Sequence, residues 1–204
     1  MTAIITFIEA MRTSNSSVRH ILNLEACIAI VTALFYKQFM KKLNQYSQDR
    51  ELNYKEINIT RYTGWMITKP IMLLGLCLVF GYNNKTSMNA SYFLMVILIN
   101  FIMLSFGYIG EIGMINKRLA QLVVFIFILI LYGLIYYTFI HDKHNFDNTI
   151  FFWAFVCFWF LYGILYDMDE ETKIIGYNML DIFSKCFVGI FLWAYLTGVI
   201  KIFN

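Results

Sequence analysis

The strongest constraint on this chain is a succession of unbroken apolar blocks, most of them close to the length that crosses a bilayer. A hydrocarbon core roughly 30 Å thick takes about 20 apolar residues of helix. Five blocks run roughly Leu22–Phe39, Ile67–Phe80, Tyr92–Ile112, Leu119–Ile140 and Phe151–Tyr166. A sixth runs from about Ile174 to Phe203 and is interrupted by Asp181 and Lys185. The second extends back to near Tyr54, because Ile57–Thr63 holds no helix breaker. Continuous apolar runs exclude a closed β-barrel, whose strands alternate between lipid and lumen. Met1–Arg12 is a further apolar piece, but a helix of that length spans only about 18 Å. The polar run Thr13–Ser17 after it supplies a turn and an N-cap for the next block.

Charge supports the same class. Only 14% of the 204 residues are charged, too few to cover a water-facing surface, whereas 60% are hydrophobic. Connections are short and polar: Lys41–Asn53, Tyr82–Ser91, Gly113–Arg118, His141–Asn148 and Asp167–Lys173. The basic residues divide evenly between the two ends of the bundle, so the positive-inside rule does not orient it. A formal charge of +3, scattered along the chain, points to no nucleic-acid partner. The four cysteines lie inside apolar blocks without disulfide or metal-ligand spacing, and no metal is expected. The expectation is an all-α, multi-pass integral membrane protein, one domain over 1–204, with six full spans and a shortened first helix.

Ionisable side chains inside a bilayer are costly and mark function. Asp181 and Lys185 stand four residues apart, on one face of the last helix. One reading is a structural ion pair that neutralises both charges. The other is an amine able to condense with an aldehyde, with Asp181 as its counter-ion.

A second constellation favours the latter. The run Arg61-Tyr62-Thr63-Gly64-Trp65-Met66-Ile67-Thr68-Lys69-Pro70 resembles the third helix of microbial rhodopsins, and Asp181-x-x-x-Lys185 resembles their last. The likeness covers residues 17 to 204 and is similar in character to the small rhodopsins of giant viruses. It implies a seven-helix bundle carrying all-trans retinal as a covalent protonated Schiff base on Lys185. Trp65, Thr68, Pro70, Met103 and Gly107 would line the pocket, with Tyr36, Asn100, Tyr132 and Gly163 at matching positions. Trp153 would stack on the polyene, and Trp159 is the alternative for the second aromatic wall. The implied partners are retinal, the lipid bilayer and protons or small ions. The implied protein is a non-enzymatic homo-oligomer, since half a missing first helix leaves apolar side chains for a neighbour to cover.

The chain departs from the family where outward proton pumps carry carboxylates. Gly64 precedes the motif tryptophan where pumps have an aspartate, and Gly75 stands at the proton-donor position. Asp181 is left as the evident carboxylate near the amine, with Arg61 close by. Glu25, in the second block, is either an alternative proton donor or a helix-end carboxylate facing water. Lys69 either snorkels to the interface or sits in a polar interior near Asn100. Glu51, Glu56 and Asn58 form a candidate polar vestibule, and Asp167, Asp169, Glu170 and Glu171 a solvated loop or a cation-attracting mouth.

Three functions remain open. A light-gated ion channel or photosensor would use a polar path through Glu25, Tyr36, Asn58, Arg61 and Asp181. A light-driven proton transporter would rely on non-standard carboxylates. A non-photoactive scaffold would use Asp181–Lys185 as structural glue. With both usual proton carriers missing, the sequence leans to the first.

Overall fold

The computed structural model describes residues 1–49 and 53–200, and what it describes is almost wholly helical. The helices are α1 (Thr2–Arg12), α2 (Ser16–Asp49), α3 (Tyr54–Asn84), α4 (Ala90–Glu111), α5 (Lys117–Phe139), α6 (Phe146–Leu165) and α7 (Glu170–Leu196). Within α7 the stretch Ile182–Phe187, which carries Lys185, is π-helical. Six helices are long and apolar enough to cross a membrane, and α1, at 11 residues, is the short seventh.

Polar residues punctuate the bundle. Asn15, Asn53, Asn89, Asn116, Asn145 and Asp169 each accept a backbone N–H of the helix that follows. Such caps satisfy donors that the first turn leaves free. At the other end of α3, Lys85 adopts a left-handed conformation and Thr86 N–H reaches back to Gly81 O at 2.9 Å. A side chain on Gly81 would meet that same Thr86 carbonyl, at 2.8 Å from its Cβ.

Two boundaries differ from the sequence expectation. The segment from Lys41, read as a loop, continues α2 as helix to Asp49. Hydropathy reports where a span leaves the apolar layer, not where the helix ends, and the Lys- and Gln-containing stretch has no breaker. Lys42 in this extension donates to Glu56 Oε1 at 2.7 Å and to Thr60 Oγ1 at 2.8 Å, tying α2 to α3. Likewise the last span begins at Glu170, four residues before its apolar run. Arg50, Glu51 and Lys201 lie outside the described residues.

The helices close into a ring in which neighbours in sequence pack together, and α7 returns to α1 and α2. Helix α3 also touches α5 and α6 and buries 67% of its apolar window, against 28–39% for the other spans. It is therefore the central helix, and its motif residues face the core. Pro70 sits inside it, where the missing N–H leaves the preceding turn one hydrogen bond short. The outward surface is lined by Leu94, Leu98, Leu122, Leu129 and Ile164, as a lipid-facing wall requires.

Candidate functional site

The site is built where α2, α3, α6 and α7 converge on Asp181. Lys185 Nζ donates to Asp181 Oδ1 at 2.6 Å, with both residues no more than 4% exposed. Tyr162 Oη donates to the same oxygen at 2.5 Å and Trp65 Nε1 at 3.3 Å. Tyr36 Oη, from α2, reaches Oδ2 at 3.2 Å. One carboxylate thus collects an amine, a phenol and an indole on one oxygen and a second phenol on the other. Such saturation is what a buried charge needs to persist. Arg61 acts on this network through an intermediary. Its Nη2 donates to Asn178 Oδ1 at 3.0 Å, which also accepts from Tyr36 at 3.2 Å, while the guanidinium lies over Phe39 and Tyr177.

Two small cavities of about 30 Å³ each flank Trp65. The first is bounded by Tyr36, Arg61, Gly64, Thr68, Asp181 and Lys185. The second is bounded by Lys69, Met103, Gly107, Trp159, Tyr162 and Gly163. Thr68 turns its hydroxyl to Gly64 O at 3.0 Å. Pro70 lines neither. Tyr132, the fifth-helix residue, packs edge-on against Trp159 at 5.8 Å. Asn100 lies fully buried on the α4 face that carries Met103 and Gly107, and neither polar atom of its amide has a hydrogen-bond partner.

The aromatic wall expected from Trp153 is corrected. That side chain is 58% exposed, on the lipid side of α6, whereas Trp159 is 1% exposed and lines the second cavity. Six residues at about 100° each set the two tryptophans about 120° apart around α6, so they do not share a face. Lys69 is corrected in a different way. It neither snorkels nor meets a polar interior: it is 4% exposed, with Nζ 4.7 Å from the Trp65 ring centre, 4.9 Å from Trp159 and 4.1 Å from Tyr162.

Glu25 is buried rather than facing water at the helix end, and is 4% exposed. Its Oε1 lies 3.4 Å from where a Cβ on Gly75 would stand, and Oε2 lies 3.1 Å from that of Gly189. Its carboxylate thus fills the space left by a missing side chain on α3, about one turn along α7 from Lys185.

At the opposite end a charge cluster has formed that sequence reasoning missed. Lys173 is completely buried and bonds Glu111 Oε1 and Glu170 Oε1, each at 2.7 Å. Asn58 donates to Glu111 at 2.6 Å and to Glu170 at 2.9 Å. Asn58 is therefore part of a closed knot rather than an open vestibule. Glu56, its neighbour in the expected vestibule, pairs with Lys42 instead. Of the acidic loop, Glu170 joins the knot and Asp167 and Glu171 are exposed. Asp169 caps α7, and the Thr172 N–H it accepts holds its carboxyl below the usual range. The one available signal was that Glu111 and Lys173 each place a charge at the edge of an apolar block.

A buried primary amine beside a carboxylate, opening on aromatic walls, is suited to an apolar aldehyde held covalently. The bacteriorhodopsin-like protein family model matches residues 1–199. The chain belongs to the bacteriorhodopsin-like family. Members bind retinal through a Schiff base to a lysine. Among solved structures, the viral rhodopsin OLPVRII is 44% identical, with a TM-score of 0.89 over 98% of this chain and 92% of that one. A blue light-absorbing proteorhodopsin from Med12 is 21% identical, with a TM-score of 0.74 over 97% and 90%, and shares the fold. A search of curated proteins returned no match.

Proposed function

We propose that this integral membrane rhodopsin is a light-driven proton transporter in which Asp181 and Glu25 exchange protons with the nitrogen of Lys185. The observation that carries the reading is the placement of two buried carboxylates at backbone positions about one turn to either side of residue 185 along α7. Asp181 is in direct contact with it, and Glu25 faces Gly189. When bound, retinal supplies a protonatable imine nitrogen and a change of shape in light. Every further role belongs to the chain. Lys185 is the attachment point, with Trp65, Trp159, Tyr162, Met103 and Gly107 walling the channel and Thr68 and Pro70 shaping the α3 side. Asp181 is counter-ion and proton acceptor, poised by Tyr36, Tyr162 and Trp65. Glu25 returns the proton from the far side, in the space that Gly75 leaves open. Arg61, bonded to Asn178 beside Tyr36, stands about one turn along α3 from Asn58 of the Glu111–Lys173–Glu170 knot.

This reverses the lean of the sequence towards a channel or photosensor, because the carboxylate absent from Gly75 is supplied in space by another helix. The channel remains the second reading, favoured by the buried polar groups that run from Asp181 through Tyr36 to Asn178 and Arg61. The deciding experiment illuminates the purified, retinal-loaded protein in lipid vesicles. Sustained pH change abolished by an uncoupler, and absent in Lys185→Ala together with its visible band, is the expected result. A photocurrent that reverses sign with voltage would replace the transporter with a channel, and a visible band with no ion movement would leave a photosensor.

A further inference from the structure

Among the described residues Lys69 makes no ion pair with a carboxylate, and it has no place in the proton path just described. A cationic side chain buried at 4% exposure ordinarily pairs with an acid. Instead, its amine is held among three aromatic rings, all within the roughly 6 Å over which a ring face attracts a cation. Two of those rings, Trp65 and Trp159, are the walls between which an elongated apolar ligand would lie. Lys69 therefore stands inside the cofactor channel. Its position is also defined: of the two cavities that Trp65 lines, Lys185 borders one, and Lys69 borders the other with Met103, Gly107 and Trp159. The rings hold the amine where ligand atoms would pass, so a bound ligand displaces it. An acceptor is available nearby on α4. Asn100, about one turn from Met103 on the same buried face, has an amide oxygen without a hydrogen-bond partner.

We propose that Lys69 is a second functional lysine of the cofactor site, a fixed positive charge beside the part of the channel remote from Lys185 that moves the protein's absorption to shorter wavelength. This rests on the reading of Lys185 as the attachment lysine. The physical reason is Coulombic. Excitation of a conjugated chain ending in a protonated nitrogen carries positive charge away from that nitrogen. A cation fixed near the remote part raises the excited state more than the ground state, and in a buried site the effect is weakly screened. In the cofactor-free protein the amine lies in the aromatic cage, where it acts on Trp65 and Trp159 directly.

The test uses the full chain carrying Lys69→Met, which fills the slot without charge, and Lys69→Arg, which keeps the charge at every working pH. With retinal added, Lys69→Met absorbs to the red of the parent while Lys69→Arg stays near the parent maximum. Without retinal, the tryptophan emission of Lys69→Met departs from that of the parent. A parent and Lys69→Met with the same absorption maximum, both showing a visible band, would overturn the inference and leave Lys185 untouched. A parent with no visible band removes both readings together. Unchanged tryptophan emission would overturn the cage itself, whatever the loaded protein does.

Discussion

At the residue scale, the chemistry of the site depends on how many donors one oxygen collects. Asp181 Oδ1 takes Lys185, Tyr162 and Trp65, so removing one donor weakens but does not abolish its support. Tyr162→Phe deletes the 2.5 Å bond and keeps the ring that faces Trp65 and Lys69. A hydrogen bond to a charged group contributes about 1.5–3 kcal/mol, so the cofactor-free protein should lose stability of that order in a thermal or denaturant titration. An unchanged midpoint would mean that Ser184, which also contacts this hydroxyl, or another group takes over. Lys185, Asp181 and Trp65 could be placed on one site from the sequence because α3 and α7 present them at fixed helical spacing. Trp159 and Trp153 were not separable in that way: a helix that is apolar all round carries no stripe to say which face is inside. Lys69 was located but not understood, since its surroundings come from α6 as well as α3, and no spacing along one helix encodes them.

At the scale of elements, the bundle is set by close approaches and by charges that tie helix ends together. A Cβ on Gly110 would collide with Ala120 Cβ of α5 and with the Tyr166 hydroxyl at the end of α6. Gly110→Ala should therefore cost about 1–3 kcal/mol through overpacking. Gly133, exposed on α5 with nothing within 4 Å of its Cβ, should be neutral or gain about 0.4–1 kcal/mol as alanine. Thermal unfolding of the two variants side by side separates packing from helix propensity, and equal losses would contradict the close approach. The knot of Glu111, Lys173 and Glu170 joins α4 to α7 by a different means. Lys173→Met leaves two carboxylates against Asn58, one of them 5% exposed, and removing one partner of a buried pair costs roughly 3–5 kcal/mol. Pairing Lys173→Met with Glu111→Leu should recover most of that loss. The element order and the short α1 were readable from apolar length alone. The knot was not, because its three charges come from two separate helices and each reads alone as an ordinary helix-end residue.

At the scale of the whole molecule, transport requires that the two sides of Lys185 differ, and the bundle is built unequally about it. On the α7-start side Asp181 connects through Tyr36 to Asn178 and Arg61, and a separate knot of charge ties Asn58, Glu111, Glu170 and Lys173. On the other, Glu25 is 4% exposed, with its carboxylate oxygens against Gly75 of α3 and Gly189 of α7. The short α1 adds a lateral asymmetry. A groove of about 660 Å³ runs between α1, α2 and α7 with Asp181 among its walls, and α1 turns Ile4, Phe7, Ile8 and Met11 outward. A homo-oligomer covering that flank is the arrangement anticipated from the sequence. Chemical cross-linking in lipid should give discrete multimers of the chain, and a lone monomer band would remove it. The two carboxylates then predict a division of labour. Glu25→Gln keeps the shape and hydrogen-bonding capacity of the side chain but cannot hand over a proton. The first proton displaced by a flash should still be seen, because Asp181 and Lys185 are intact. Return of the visible band should slow by about 10²–10⁴-fold, the usual contribution of a positioned proton carrier. Sustained acidification or alkalinisation of vesicles should fall with it, and a small permeant weak acid should restore both. If Glu25→Gln recovers at the parent rate, the carboxylate beside Gly75 is structural, and the proton-return role assigned to Glu25 falls with it.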